Sequence, residues 1–421
     1  MKKNLNVTAN IIWNTLGSVF YCGCQWLLNV SVVRFSDDFS NAGILSLAMS
    51  ISAIFFVISL FNVRNYQVSD SDNLYSPEDY VFHRILTCLL SFIMCAVFVL
   101  INGYNLTITL SVLSFMAFRV IEAIADVFHG EAQKIWRLDI AGKSCIIRGV
   151  LFIAVFTVTI ILSDSLPLAL FLMALATVIP LIFYDYASIK KLINLKLHLN
   201  KSKIVSLTKI CLPMVGYGLC INSIIPLAKY FIDFYHGENV LGPYSTVSAV
   251  AVLVQTLVLL IFTPLIAIFN DEYRKGNKRA MNLLLLKLTA LLIAITLVSL
   301  LLVLLIGKPV MALVFGEEII PYVYLLYPTI IASSLTALVW LLGMILVVMR
   351  SMACLICGAL IGTVISLVIC LLTVPSDAYF GANLAIILSF AIISIFYISK
   401  YLIFLFSKSE NDTSEVQNVN D

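Results

Sequence analysis

The sequence is poor in charge. Only 12% of its 421 residues are Asp, Glu, Lys or Arg, 26 basic against 23 acidic, and histidine occurs 4 times. Soluble domains carry about 25% charged residues, so a soluble globular fold is excluded. No Walker-type phosphate loop or dinucleotide fingerprint occurs, which argues against ATP hydrolysis within this chain. A net charge of +3, with basic residues confined to a few loops, gives no footprint for nucleic acid. The connections on one side of the apolar runs are all short, so no substantial loop is available to carry catalytic groups, and the chain reads as a non-enzyme. Alternating-polarity segments are missing too, which excludes an outer-membrane barrel.

What the chain has is apolar length: 61% of residues are hydrophobic, and mean hydropathy is +1.04. A helix needs about 20 residues to cross a ~30 Å hydrocarbon core. Twelve runs of roughly that length or more are expected to span, near residues 8–33, 42–63, 81–101, 106–127, 145–162 and 166–184, then 204–232, 241–269, 283–306, 322–348, 352–374 and 379–406. The expected fold is an all-α integral membrane protein in two six-helix bundles. Ten cysteines fall almost entirely within these runs and read as small core hydrophobes rather than a disulfide framework. Cys354 and Cys357 have ligand spacing but lack a second pair, so no metal site is expected.

Basic residues set the orientation, because Lys and Arg stay in the cytoplasm. With Lys2 and Lys3 inside, the outer connections hold only Arg34, Lys229 and Lys308 of the 26 basic residues. Both termini are then cytoplasmic. A basic linker at 190–203 divides residues 1–189 from 204–408, and a polar tail at 409–421 reads as disordered. Each half starts and ends inside, as in transporters built from parallel repeats about an axis along the membrane normal. An offset of 199 residues places Gly43 on Gly242 and Ser46 on Ser245.

Polar residues within the apolar runs are the candidate functional groups. At about 100° per residue, Arg119, Glu122, Asp126, Gln133 and Arg137 share one helical stripe. Arg119 should lie near the bilayer midplane, where an unscreened charge costs at least ~2.5 kcal/mol. It either lines a water-filled cavity or forms a structural ion pair with Glu122 or Asp126. The first span carries an uncharged stripe of Asn10, Asn14, Ser18, Tyr21, Gln25 and Asn29, which suits a cavity wall and interhelical hydrogen bonding equally. Pro213, Tyr217 and Asn222, with Ser248 and Gln255, would supply the opposite wall. Arg64, Arg148 and Lys209 stand near inner ends of spans, where anchoring is the simpler role. Lys229 stands near an outer end, four residues from Asp233, with which it could pair.

Several stretches together resemble the Wzx-type polysaccharide repeat-unit flippases, the O-antigen or capsule translocases of the MOP superfamily. They are Asn10-Ile-Ile-Trp-Asn-Thr-Leu-Gly-Ser, Val63-Arg-Asn-Tyr-Gln-Val-Ser-Asp, Glu122-Ala-Ile-Ala-Asp-Val-Phe-His-Gly-Glu-Ala-Gln-Lys and Lys229-Tyr-Phe-Ile-Asp-Phe-Tyr-His-Gly. One departure is that Ala228 precedes Lys229 where the family commonly has proline, which here is Pro226. The resemblance implies a bacterial inner-membrane, multi-pass flippase for lipopolysaccharide or capsule synthesis. Its cargo would be an undecaprenyl-pyrophosphate-linked oligosaccharide, carried outward by alternating access. Arg119, Arg64, Arg148 and Lys229, with Asn14, Gln25 and Asn222, are then the candidate substrate ligands. Glu122 and Asp126 are candidates for coupling to a proton or sodium ion, with no other cofactor. Partners would be the lipid-linked substrate and other polysaccharide-assembly membrane proteins. The alternatives are a small-molecule or drug antiporter of the same superfamily and, further off, a polysaccharide polymerase.

Overall fold

Each apolar run folds as a helix, and the breaks fall where residues cap one. Ser76 and Asp79 form a capping box at the start of the helix Pro77–Asn102, with Pro77 in its first turn. Gly103, at φ 65, ends that helix. Asn105, Asn200 and Asn277 each accept a backbone N–H in the first turn of the helix that follows. The computed structural model describes residues 7–36, 39–70, 72–192 and 200–406. Lys2, Lys3, the middle of the basic linker and the 409–421 tail lie outside the described residues.

The first half comprises α1 (Val7–Phe35), α2 (Ser40–Leu60), the short α3 (Val63–Ser69), α4 (Pro77–Asn102), α5 (Leu106–Lys134), α6 (Leu138–Ser163) and α7 (Leu166–Pro180). A π-helical turn, Leu181–Tyr186, and α8 (Ala187–Lys190) prolong α7. The second half comprises α9 (Lys201–His236), α10 (Glu238–Arg274), α11 (Lys278–Phe315), a 3-10 turn (Glu317–Leu325), α12 (Leu326–Val348), α13 (Met352–Thr373) and α14 (Ala378–Phe406). Eleven helical segments are long and apolar enough to cross a membrane, and α10 adds 37 residues of helix. The chain is a multi-pass membrane protein. α9 continues as one helix through both Pro213 and Pro226.

Within the first half α1 lies along α6, and α5 packs on α2, α4 and α7; within the second, α9 packs on α13 and α14, and α10 on α12. The small residues Gly358 and Gly362 on α13 face α14, where an added Cβ would meet Tyr397 at 2.4 Å and Ile393 at 2.2 Å. The halves meet mainly through α2 against α9 and α10. We call the side where α1 begins and α14 ends the terminal face, and the opposite side the distal face.

In the distal half the two lobes are closed on one another. A Cβ on Gly43 would stand 2.0 Å from the Glu238 carbonyl oxygen, and one on Gly242 would stand 2.3 Å from that of Phe39. One turn deeper, the Ser46 and Ser245 hydroxyls are hydrogen-bonded at 2.5 Å. Of the residues matched by the sequence offset, Ser46 and Ser245 meet directly, and Gly43 and Gly242 each approach the backbone of the other half. Arg34 extends the closure from α1, donating to the α11 carbonyls of Val314 at 2.8 Å and of Leu313, where a cation also complements the helix C-terminus.

Gly43→Val should wedge this seam apart. In a background without native cysteines, Ser245→Cys should then react several-fold faster with a membrane-impermeant maleimide added from the distal side. Unchanged reactivity in a well-expressed variant would contradict a seam limited by backbone approach.

Candidate functional site

In the terminal half the lobes separate around a cavity of about 690 Å3, which runs from Ala53 and Ile221 to the helix ends at Asn65 and Val347. That volume suits a sizeable organic head group. Its first-half wall carries Arg64, Arg119 and Asp126. A smaller pocket of about 230 Å3 adjoins it, sharing Phe56, Leu60, Arg119 and Asp126 and adding Glu122, His129 and Arg148. The cavity-lining reading of Arg119 and the ion-pair reading both hold, because the residue does both.

Two carboxylates one turn apart on α5 position the guanidinium groups. Glu122 Oε2 accepts from Arg119 Nη1 at 2.6 Å. Its other oxygen accepts from the Tyr21 hydroxyl and from Gln25 Nε2, the latter at 3.0 Å. The Arg119 guanidinium lies 5.2 Å from the ring centres of both Phe56 and Phe115, within reach of a cation–π attraction. Its Nε has no partner. Asp126 Oδ1 accepts from Arg64 Nη1 at 2.7 Å and Oδ2 from Arg84 Nη2 at 3.1 Å. Arg64 also donates to Gln133 Oε1 at 3.1 Å. Arg148 is 4% exposed, and neither its Nε nor its Nη1 has a partner. Arginines at the wall of a pocket suit an anion, because guanidinium forks match phosphate oxygens bidentately.

Sequence reasoning passed over two features of this site. Arg84, 1% exposed, lies inside the third apolar run; a buried intramembrane arginine demands a partner, and that demand was the available signal. Besides Asp126, it donates to the Ser59 carbonyl at 2.8 Å. His129 and Asp185 meet at 3.2 Å in the interior, brought together by the π-helical turn after Pro180, a departure from α-helical spacing that sequence periodicity does not reveal.

Other expectations change. The α5 stripe ends at Gln133, because α5 stops at Lys134 and Trp136 turns the chain at φ 56; Arg137 instead clamps Asp139 at 2.8 and 3.2 Å. Polar residues of α1 serve the lobe's interior: Gln25 and Tyr21 hold Glu122, and Asn10 bonds the Trp136 carbonyl at 3.1 Å. Asn14 and Gln25 are not among the cavity-lining residues, whereas Asn222 and Tyr217 are. Ser248 and Gln255 lie outside that lining, Ser248 donating to the Ser245 carbonyl at 3.0 Å. Among the described residues Lys229 forms no ion pair with Asp233. Its Nζ reaches Ser46 Oγ at 3.3 Å, a nearer oxygen across the seam, while Asp233 Oδ1 is buried without a partner. Lys229 thus belongs to the distal closure in this conformation.

Breaking a buried charge pair costs about 3–5 kcal/mol when one partner is left stranded. Asp126→Asn strands the fully buried Arg84, so it should lower the melting temperature in detergent well below that of Arg64→Ala, which removes the half-exposed partner. Equal melting temperatures would contradict the assignment of Asp126 as the junction of both arginines.

No protein-family profile matches the chain. The capsular polysaccharide biosynthesis protein CapF of Staphylococcus aureus is 25% identical over 322 residues, covering 76% of this chain and 78% of that protein. Among solved structures, the inward-facing conformation of a multidrug resistance MATE family transporter of the MOP superfamily matches with a TM-score of 0.72 at 11% identity, covering 95% of this chain and 100% of that one. The lipid II flippase MurJ in an inward closed conformation matches with a TM-score of 0.73 at 11% identity, covering 94% and 92%. The solved neighbours are transporters and flippases rather than enzymes. The chain therefore has the two-lobed fold of the MOP superfamily and is related in sequence to a capsular polysaccharide biosynthesis protein.

Proposed function

We propose that this protein is a flippase that carries polyprenyl-diphosphate-linked oligosaccharide repeat units, undecaprenyl being the expected lipid, from the cytoplasmic to the outer leaflet of a bacterial cell membrane. The carrying observation is that Arg64 and Arg119 line the chamber in the terminal half and Arg119 and Arg148 the smaller pocket beside it, while the distal half is closed by the approach of Gly43 to Glu238, of Gly242 to Phe39 and of Ser46 to Ser245. The lobes read as the functional units 1–189 and 204–408. By the positive-inside argument the terminal face is cytoplasmic, so the chamber faces the side where such cargo is assembled.

A diphosphate cannot cross hydrocarbon unaided, and the prenyl chain can stay in the bilayer while the head group enters between the lobes. Arg119, Arg148 and Arg64 bind the diphosphate. Rocking of the lobes then opens the distal seam and exposes the chamber to the other face. Lys229, released from Ser46 in that motion, offers the departing anion a second cation. Asn222 contacts the head group directly, whereas Gln25 acts through Glu122; Asn14, remote from the lining, would contribute only after rearrangement. Glu122 and Asp126 are the carboxylates through which a proton or sodium gradient could act, by loosening the arginines they hold. Other membrane proteins of polysaccharide assembly would supply and receive the cargo.

A drug antiporter shares this fold, as the multidrug transporter likeness illustrates. The arginine wall disfavours cationic drugs, and binding separates the readings. Purified protein should bind a prenyl-diphosphate sugar, and Arg119→Gln combined with Arg148→Gln should weaken it at least about tenfold, or ~1.4 kcal/mol. Preference for cationic dyes, or unchanged lipid-diphosphate affinity in the double variant, would overturn the proposal. For coupling, Glu122→Gln and Asp126→Asn should each blunt the response of reconstituted transport to an imposed ion gradient; an unchanged response in both would remove these two residues from that role.

A further inference from the structure

The cavity is divided by lobe. Its first-half wall holds the charged side chains that line it, Arg64, Arg119 and Asp126, while the lining residues of α9, α12 and α13 include none that is charged. On that uncharged side stand Trp340, Tyr217 and Asn222 among aliphatic and methionine side chains. A diphosphate alone would have no use for such a wall.

Trp340 is the unusual member. Tryptophans of membrane proteins concentrate at the interfaces, yet Trp340 lies eight residues, or about 12 Å at ~1.5 Å per residue, before the end of α12 at Val348. It lines the chamber there and remains 36% exposed. One turn along the same helix, Gly343 lies beside a second aromatic residue: a Cβ at that position would stand 3.4 Å from the Tyr217 hydroxyl, in ordinary contact. Asn222, one turn beyond Gly218 on α9, gives one N–H of Nδ2 to the Gly218 carbonyl at 2.8 Å, which leaves the amide oxygen and the second N–H for a ligand.

We infer that this second-half wall is the seat of the glycan, with Trp340 as the platform on which a sugar ring stacks. A pyranose ring offers an apolar C–H face to an indole and a rim of hydroxyl groups to side-chain oxygens. Tyr217 and Asn222 are placed to meet that rim. The cargo is then held at two points of different chemistry: its anionic diphosphate by charge on one lobe, its neutral sugar by stacking on the other. Stacking reads the ring face more than its substituents, so the platform admits a range of sugars. Held by both lobes, the cargo also draws them together.

The inference rests on the flippase reading, and three ligands separate the two: polyprenyl diphosphate without sugar, with one sugar, and with an oligosaccharide. Each is titrated against the full chain in lipid nanodiscs. Trp340→Ala should weaken binding of both glycosylated ligands about tenfold and leave the sugar-free diphosphate within about twofold, with Trp340→Phe recovering most of the loss. Retained binding of the sugar-free lipid reports a folded chamber. Equal weakening of all three ligands, or of none, would overturn the platform while leaving the flippase reading in place. A wild-type protein that binds none of the three would overturn both.

Discussion

Asp126 joins three helices at one point. Its two oxygens take Arg64 from the end of α2–α3 and Arg84 from α4, while Glu122, one turn earlier on α5, takes Arg119. Charges in the hydrocarbon layer are tolerated where they face each other or water, and here they face each other at the edge of a cavity. Arg84 is consumed as structure: buried, bonded to Asp126 and to a backbone carbonyl. Arg64 and Arg119 keep part of their side-chain surface in the chamber, and Arg148, nearly buried at the adjoining pocket, has two nitrogens without a partner among the described residues. The same carboxylates that make burial of the arginines affordable thus decide how many donors remain for cargo.

The distal seam obeys a different constraint. Backbone approach at Gly43 and Gly242 leaves no room for a side chain, and Ser46 with Ser245 closes the contact by a hydrogen bond. Van der Waals contact and weak polar bonds seal well in a membrane without committing large energies, which suits a contact that the proposed transport cycle would have to open. Lys229 across from Ser46 adds a cation that the closed seam leaves without a carboxylate partner.

Much of the architecture was legible in the sequence because bilayer thickness imposes length on every apolar run, and the stops were Gly, Asn and Ser–Pro caps. The α5 stripe was legible for the same reason: helical periodicity places Arg119, Glu122 and Asp126 together. What stayed hidden depends on neighbours from other helices. Nothing local says that Gln25 and Tyr21 would turn to Glu122 rather than to the cavity, or that Lys229 would prefer Ser46 to the nearer-in-sequence Asp233. Arg84 was readable in principle, as an arginine within an apolar run, whereas the His129–Asp185 contact needed the π-helical turn. Of the two matches in the weak internal repeat, the serines hydrogen-bond to each other across the lobe interface, while each glycine faces a different residue of the other lobe.

The central claim is that guanidinium groups deep in the membrane stand in a hydrated chamber reached from the terminal face and shaped for an anionic lipid head group. The most direct measurement places a single cysteine at Ala53, which lines the deep end of the chamber beside these arginines, in a cysteine-free background and follows its modification by a charged, membrane-impermeant reagent applied to one side at a time. The expected result is labelling from the cytoplasmic side alone, slowed by a lipid-linked diphosphate sugar. Labelling from neither side, or labelling that such a lipid leaves untouched, would contradict it.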